Sequence, residues 1–282
     1  MTTKPMHFHD DNFDPQDSKS CHLLLRLSSH AYTYVVTDPL ENRIRSIGKN
    51  ESLPNSENSP GSQFENFCSE NEHLKLSYKN VKVSFETQSF TFIPEELFDK
   101  DCLQEYSKFI GAAPNTILFH TLIKSTRIHN VFAVDRDLKG ALHRIFPEAL
   151  FVCQANPMIT SCLRKKEEGS DSELFLNFNC SSFEAVFIRD NIFRFYNLFS
   201  ASSPDEFNYF LLNLITQFEI DRTVTVSIAG EIDAESELFL RLKKYFDKVS
   251  FAEGSEEIMK INAFGTLSYH TFEPVLALDL CV

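Results

Sequence analysis

From Leu23 onward the chain breaks into short apolar runs separated by turn residues, the pattern of strands with one or both faces buried. Leu23 to Ser28, Ala31 to Thr37 and a run near Asn42 to Ile47, with Asp38-Pro39 as the turn before the third, predict a three-stranded meander. Gly48 to Gly61, rich in Asn, Ser, Pro and Glu, reads as an exposed loop, and Gln63 to Lys75 as a helix. Strands are expected at Val81 to Phe85 and Ser89 to Ile93. Pro94-Glu95-Glu96 then puts a proline where a first helical turn tolerates it, which predicts a helix to about Phe109. Two strands follow, Thr116 to Ile123 and Ile128 to Val134, and Asp135 caps a helix running to Ile145. A strand at Ala149 to Cys153 and a helix at Pro157 to Arg164 lead to a charged link, Lys165 to Ser172.

After the link the pattern begins again. At an offset of 151, Leu25-Arg26-Leu27 aligns with Leu176-Asn177-Phe178, Tyr32 with Phe183, Val35 with Val186 and Arg43 with Arg194. Val81-Lys82-Val83-Ser84 matches Val224-Thr225-Val226-Ser227 at an offset of 143, so the second copy has the shorter connection. Such self-similarity points to duplication. Pro204-Asp205-Glu206 starts an apolar helix over Phe207 to Phe218, Asp221 to Ala229 reads as a buried strand, Ala234 to Phe246 as an amphipathic helix and Lys248 to Ala252 as a strand. The chain closes on the apolar run Pro274 to Val282. The expected organisation is a flexible, Asp-rich tail over 1–20, a first half over 21–170 with an inserted α/β segment at about 112–165, and a second half over 171–282.

Composition narrows the function classes. A net charge of −13 repels a phosphate backbone, and the basic clusters Arg164-Lys165-Lys166 and Arg241, Lys243, Lys244 fall at expected helix ends, where they complement the helix dipole, so nucleic acid is not the expected partner. The 28 Phe residues scatter through every apolar segment, which assigns them to the core. Seven Cys, an odd number without a CxxC pair, predict free thiols in a reducing cytoplasm. No apolar run is long enough to predict a membrane span.

Candidate chemistry is sparse. There is no GxSxG, P-loop or HExxH pattern. His7, His9 and Asp10 are metal-ligating types, but two imidazoles on a flexible segment give no preorganised shell. Asp135 and Asp137 flank Arg136 at a helix start, where capping is their role. His120 and His129 fall on neighbouring strands that could bring them together. No catalytic and no metal-binding residue is assigned.

Three strands, a helix, a strand and a helix, taken twice, is the order found in the actin, Hsp70 and sugar-kinase superfamily. In detail, Pro204 to Gln217, the strand Val224 to Gly230 continued as Glu231-Ile232-Asp233, and the ending Tyr269 to Cys281 resemble a bacterial family of unknown function, DUF3822, found mainly in Bacteroidetes. The resemblance implies a duplicated α/β fold of the actin-like (ribonuclease H-like) ATPase type, each half with a mixed sheet starting in a three-stranded meander.

Active members of that superfamily bind ATP between their halves, on two hairpins that carry an acidic residue and a glycine, and on a Gly-rich turn near the adenosine. Here the first hairpin, Leu25-Arg26-Leu27-Ser28-Ser29-His30, has neither Asp nor Gly, and nor does the second, Leu176 to Ser182. Ile228-Ala229-Gly230-Glu231 keeps one glycine where a pair is usual. The resemblance thus implies a pseudo-ATPase acting through a protein partner, with no cofactor required. Arg26, Asn177, Asn179 and Gly230 are the residues that would meet a nucleotide if one bound. Their non-functional readings are an exposed strand residue, two turn formers and a strand terminator. The alternatives are a nucleotide sensor without turnover and a divergent ATPase or kinase whose acid has moved to Asp221 or Asp233.

Overall fold

The computed structural model describes residues 6–51, 58–164, 172–253 and 268–281. Strand β1 (Met6–His9) comes first, then β2 (His22–Leu27), β3 (Ala31–Asp38) and β4 (Arg43–Glu51). Helix α1 (Pro60–Glu70) and β5 (Asn80–Phe85) follow, then β6 (Phe90–Pro94), the short α2 (Leu103–Tyr106), β7 (Thr116–Ile123), β8 (Ile128–Asp135) and α3 (Arg136–Ile145). Strand β9 (Leu150–Cys153) and α4 (Ala155–Arg164) complete this part. The remainder is β10 (Ser172–Phe178), β11 (Ser182–Arg189), β12 (Ile192–Ser200), α5 (Pro204–Phe218), β13 (Thr225–Gly230), α6 (Glu237–Tyr245), β14 (Lys248–Phe251) and α7 (Tyr269–Leu276).

Two mixed sheets carry the fold, with strand orders β1-β4-β3-β2-β5-β9 and β12-β11-β10-β13-β14. Apart from β1 these are the same topology: an antiparallel meander whose first strand also pairs in parallel with a fourth strand, which in turn pairs in parallel with a fifth. The register repeats as well. Arg26 faces Thr33 and Ser84, and Asn177 faces Glu184 and Ala229. The third sheet is β6-β8-β7; it takes in β6, which precedes the insertion expected at about 112–165, and leaves out β9, which pairs with β5 in the first sheet.

The central strands are apolar at consecutive positions because both faces are covered. Leu23 and Leu25 join the core under α1 and α3 (Phe64, Phe67, Ala141, Leu142), whereas Leu24 joins Val35, Ile47, Phe272, Val275 and Leu278 on the opposite face. Helix α4 packs through Met158, Ile159 and Cys162 into the first of these cores, which also takes in Val186 and Tyr196 of the second sheet. Helices α5 and α6 cover that sheet's far face with Phe207, Leu211, Phe239 and Leu242. The layers therefore run helix, sheet, helix, sheet, helix. Phe272, Val275 and Leu278 lie within the span expected to be the second half, yet they are buried against the first sheet.

The caps follow the sequence signals. Asp135 accepts from the backbone N–H groups of Asp137 and Leu138, and Ser203 and Pro204 open α5. Three expectations need correction. The segment from Met6 is not a free tail: β1 pairs antiparallel with β4, and Asp10, Phe13 and Ser18 are buried. Arg45 holds it there, donating to Asp10 (3.0 Å), Asp38 (2.8 Å) and Glu41 (2.7 Å). The helix expected from Gln63 to Lys75 begins earlier, at Pro60 under a Ser59 cap, and ends at Glu70 before a 3₁₀ turn. The helix expected from Pro94 is a series of short turns, because Pro94 ends β6 and its neighbours pair with β8. The sequence link at 165–171 lies outside the described residues.

Candidate functional site

The ends of β2 and β10 point at the same cleft, where the β2–β3 and β10–β11 hairpins meet. Ser28 shapes the first turn, its Oγ accepting from the N–H groups of His30 (3.2 Å) and Ala31 (2.9 Å). The second is closed by Asn179, whose N–H donates to Ser182 O at 2.9 Å and whose Nδ2 donates to Ser182 Oγ at 3.3 Å. The hairpin tips touch through His30 Nε2 and Ser181 Oγ at 3.0 Å.

Behind the tips lies a buried ionic network. The Arg26 guanidinium, 8% exposed, donates through Nη2 to Glu86 at 3.0 Å and to Glu184. Glu184 is fully buried and also accepts from Asn177 Nδ2 (2.7 Å) and the Tyr196 hydroxyl (2.7 Å). Ser182 Oγ donates to Glu86 at 3.3 Å. Arg26 was expected to be an exposed strand residue. It is instead the cation of this cluster, because the second sheet covers the strand end that would otherwise face solvent. Two buried atoms keep unused capacity: Arg26 Nη1, a donor, and Asn177 Oδ1, an acceptor.

The electrostatics follow from one cation serving two carboxylates. Burial alone lowers the pKa of Arg26, but the charges of Glu184 and Glu86 outweigh it and hold the guanidinium firmly protonated. Burial raises the pKa of Glu86; Arg26 offsets part of this, and the charge of Glu184 pushes in the same direction as burial. Burial, and then the Glu184 charge, keeps the Tyr196 phenol protonated well above its usual range.

Gly230 ends β13 beside this cluster with φ at +88°. A Cβ there would stand 2.0 Å from Phe178 O and 2.5 Å from Asn177 Oδ1, so only glycine lets β13 pass the second hairpin. The next residue, Glu231, donates its N–H to Phe178 O at 2.7 Å and pairs its carboxylate with Lys49 across the mouth of the cleft. Of the four sequence candidates, all line the same cavity. Asn179 forms its hairpin turn, as its turn-former reading had it, whereas Asn177 is a buried partner of Glu184.

What sequence reading missed is the acidic half: Glu86, Glu184 and Tyr196. The signal was available, since Glu184 interrupts the apolar run Phe183 to Ile188 much as Arg26 interrupts Leu23 to Leu27. Opposite charges embedded in two buried strands require one another.

The cavity between the hairpins is about 50 Å³, whereas small-molecule sites are on the order of 300–1,000 Å³. Its polar lining consists largely of side chains already committed to partners, among them Glu86 to Arg26 and Ser182, and Glu231 to Lys49. These residues do not fit a magnesium nucleotide as the hairpins stand. The alternative acids are elsewhere. Asp221 forms a turn with Thr223 at the opposite end of β13, and Asp233 accepts from the Glu235 N–H. Among the described residues no three His, Cys, Asp or Glu side chains are grouped to hold a metal. His9 lies against His73 with the rings tilted by 38° and their centroids 4.6 Å apart. His120 and His129 do meet, at 5.6 Å, with Phe98 stacked on His129 at 3.9 Å.

Two mixed sheets of one topology, with helices between them and a cleft at the paired hairpins, define the actin-like ATPase fold. The chain is similar to a protein of unknown function with that fold from Bacteroides thetaiotaomicron, with TM-score 0.77 and 22% identity over 85% of this chain and 93% of the other. It is also similar to a structure of the PilM–PilN type IV pilus biogenesis complex, with TM-score 0.59 and 11% identity over 92% and 97%. At these identities the likeness is one of fold. Among curated proteins none matches the sequence. Residues 10–249 match the protein family of unknown function DUF3822, and the chain belongs to that family.

Proposed function

We propose that this chain is a pseudo-ATPase of the actin-like fold that acts by binding a protein partner. The observation that carries the reading is the Arg26 guanidinium held between Glu86 and Glu184. Phosphoryl transfer on this fold needs a cation neutralising the phosphates between the hairpins. Here the cation at that place is the chain's own, already matched by carboxylates that repel a phosphate. The partner half of the reading draws support from the similarity to the PilM–PilN complex. A cytoplasmic setting is supported by the seven cysteines, none of them in a disulfide and five of them buried.

The test is thermal stability of the purified protein with and without millimolar Mg-ATP, repeated with ADP and GTP, alongside a magnesium-dependent phosphate-release assay. A ligand at about a hundred times its dissociation constant adds roughly 2.7 kcal/mol to the folded state that binds it. The expected result is an unchanged melting temperature and no phosphate release. A clear shift would replace this reading with a nucleotide sensor, and turnover would replace it with an enzyme.

A further inference from the structure

Away from the cleft, the free edges of two sheets border one groove. Among the described residues, strand β9 ends the six-stranded sheet and is bonded only to β5, while β7 ends the three-stranded sheet and is bonded only to β8. They approach without forming a ladder, Phe119 and Phe151 packing edge to face with centroids 5.5 Å apart. Between these edges and α4 opens a groove of about 380 Å³. Its apolar surface comes from Leu122, Leu150, Val152 and Leu163, and Leu150 is 37% exposed.

Edge strands leave alternate backbone N–H and C=O groups without ladder partners, and an apolar groove beside them suits a peptide in extended form. The charge of the groove selects among such peptides. Lys124 and Arg164 line it, both exposed, and among the described residues no Asp or Glu does. This occurs on a chain with 40 acidic and 27 basic residues. A basic groove on an acidic molecule attracts acidic segments that the rest of the surface repels.

We propose that the groove between β7 and β9 binds an extended segment of a partner protein, apolar at alternate positions and rich in Asp and Glu, which adds to β9 as a further strand. The proposal rests on the reading of the chain as an interaction module and names the chemistry of its partner. Backbone bonding to β9 supplies affinity, alternate apolar side chains enter the groove, and the acidic ones meet Lys124 and Arg164.

The experiment is selection of displayed random peptides of about twelve residues, long enough to overrun a strand of ordinary length, on the immobilised full chain. Selected peptides are then measured in solution by fluorescence anisotropy. Enrichment of acidic, alternately apolar sequences is expected, with affinity that falls as salt is raised. The double variant Lys124→Glu, Arg164→Glu should weaken them about tenfold or more. Both side chains are exposed, so the variant should stay folded, with circular dichroism like the parent's, and the salt series tests the same point without any substitution. Neutral or basic winners, binding indifferent to salt and to charge reversal, or no enrichment would each overturn the proposal. So would a dimer in sedimentation that the double variant dissolves, since the groove would then serve a second copy. Phosphate release in the assay above would sink the pseudo-ATPase reading and leave the groove result standing.

Discussion

Arg26 and its two carboxylates show how a charge can be confined to a core without an external counter-ion. Removing one member of a buried ion pair leaves the other uncompensated, which costs about 3–5 kcal/mol. Arg26→Met should therefore lower stability by that order, read as a shift in the urea midpoint at neutral pH. Glu86 gives the cluster a pH dependence of defined sign. Burial places its folded pKa above its unfolded one, so the folded state holds the proton more tightly. That contribution is complete in acid and is lost as the pH rises from the ordinary carboxylate range through the raised folded pKa. Glu86→Gln, which imitates the protonated acid, should gain stability relative to the parent as the pH is raised from about 4.5 to 7.5. Urea melts of both proteins across that window check this, and a constant difference would remove Glu86 as the titrating group.

At the scale of elements, β1 is the addition that sets the first sheet apart from the second. It is held by the Asp10–Arg45 pair, with both side chains less than a tenth exposed. Asp10→Ala should cost roughly 3 kcal/mol, with Asp38 and Glu41 retaining part of the interaction. Faster proteolysis near the N-terminus would accompany the loss. Its pairing with β4 was invisible in the sequence because His7 and His9 flank one apolar residue, too short an alternation to separate from a polar tail. The two meanders were legible because their apolar runs are continuous and their turns carry Asp-Pro or Ser and Asn. Pro94 misled because Pro-Glu-Glu serves a strand end followed by a 3₁₀ turn as well as it serves a helix start. The cleft was legible as a place, since its four candidates come together, but its chemistry was not. Glu86 follows β5, and its meeting with Arg26 depends on the parallel β2–β5 register, while its meeting with Ser182 depends on the approach of the second sheet.

For the whole molecule, the C-terminal helix joins α4 in making one folding unit of the two sheets. Phe272 and Val275 of α7, with Leu278 in the 3₁₀ turn after it, bury against Leu24, Val35 and Ile47, while His270 of α7 reaches Ile232 O beyond β13 at 3.1 Å. A chain truncated before Ser268 should lose the cooperative transition of the parent. The loss would appear as a broad urea profile with non-coincident near- and far-ultraviolet circular dichroism. Two sharp transitions would show instead that each sheet folds alone.

The Tyr196 hydroxyl, donating to Glu184 at the centre of the cleft, has an optical consequence. With no Trp and eight Tyr in the chain, the protein's own ultraviolet emission is tyrosine light. A phenol bonded to a carboxylate emits weakly, so Tyr196 is dark while β11 and β12 are paired and should brighten when that pairing is lost. The molecule thus carries an unlabelled fluorescent gauge of the integrity of its second sheet, and Tyr196→Phe supplies the blank against which to read it.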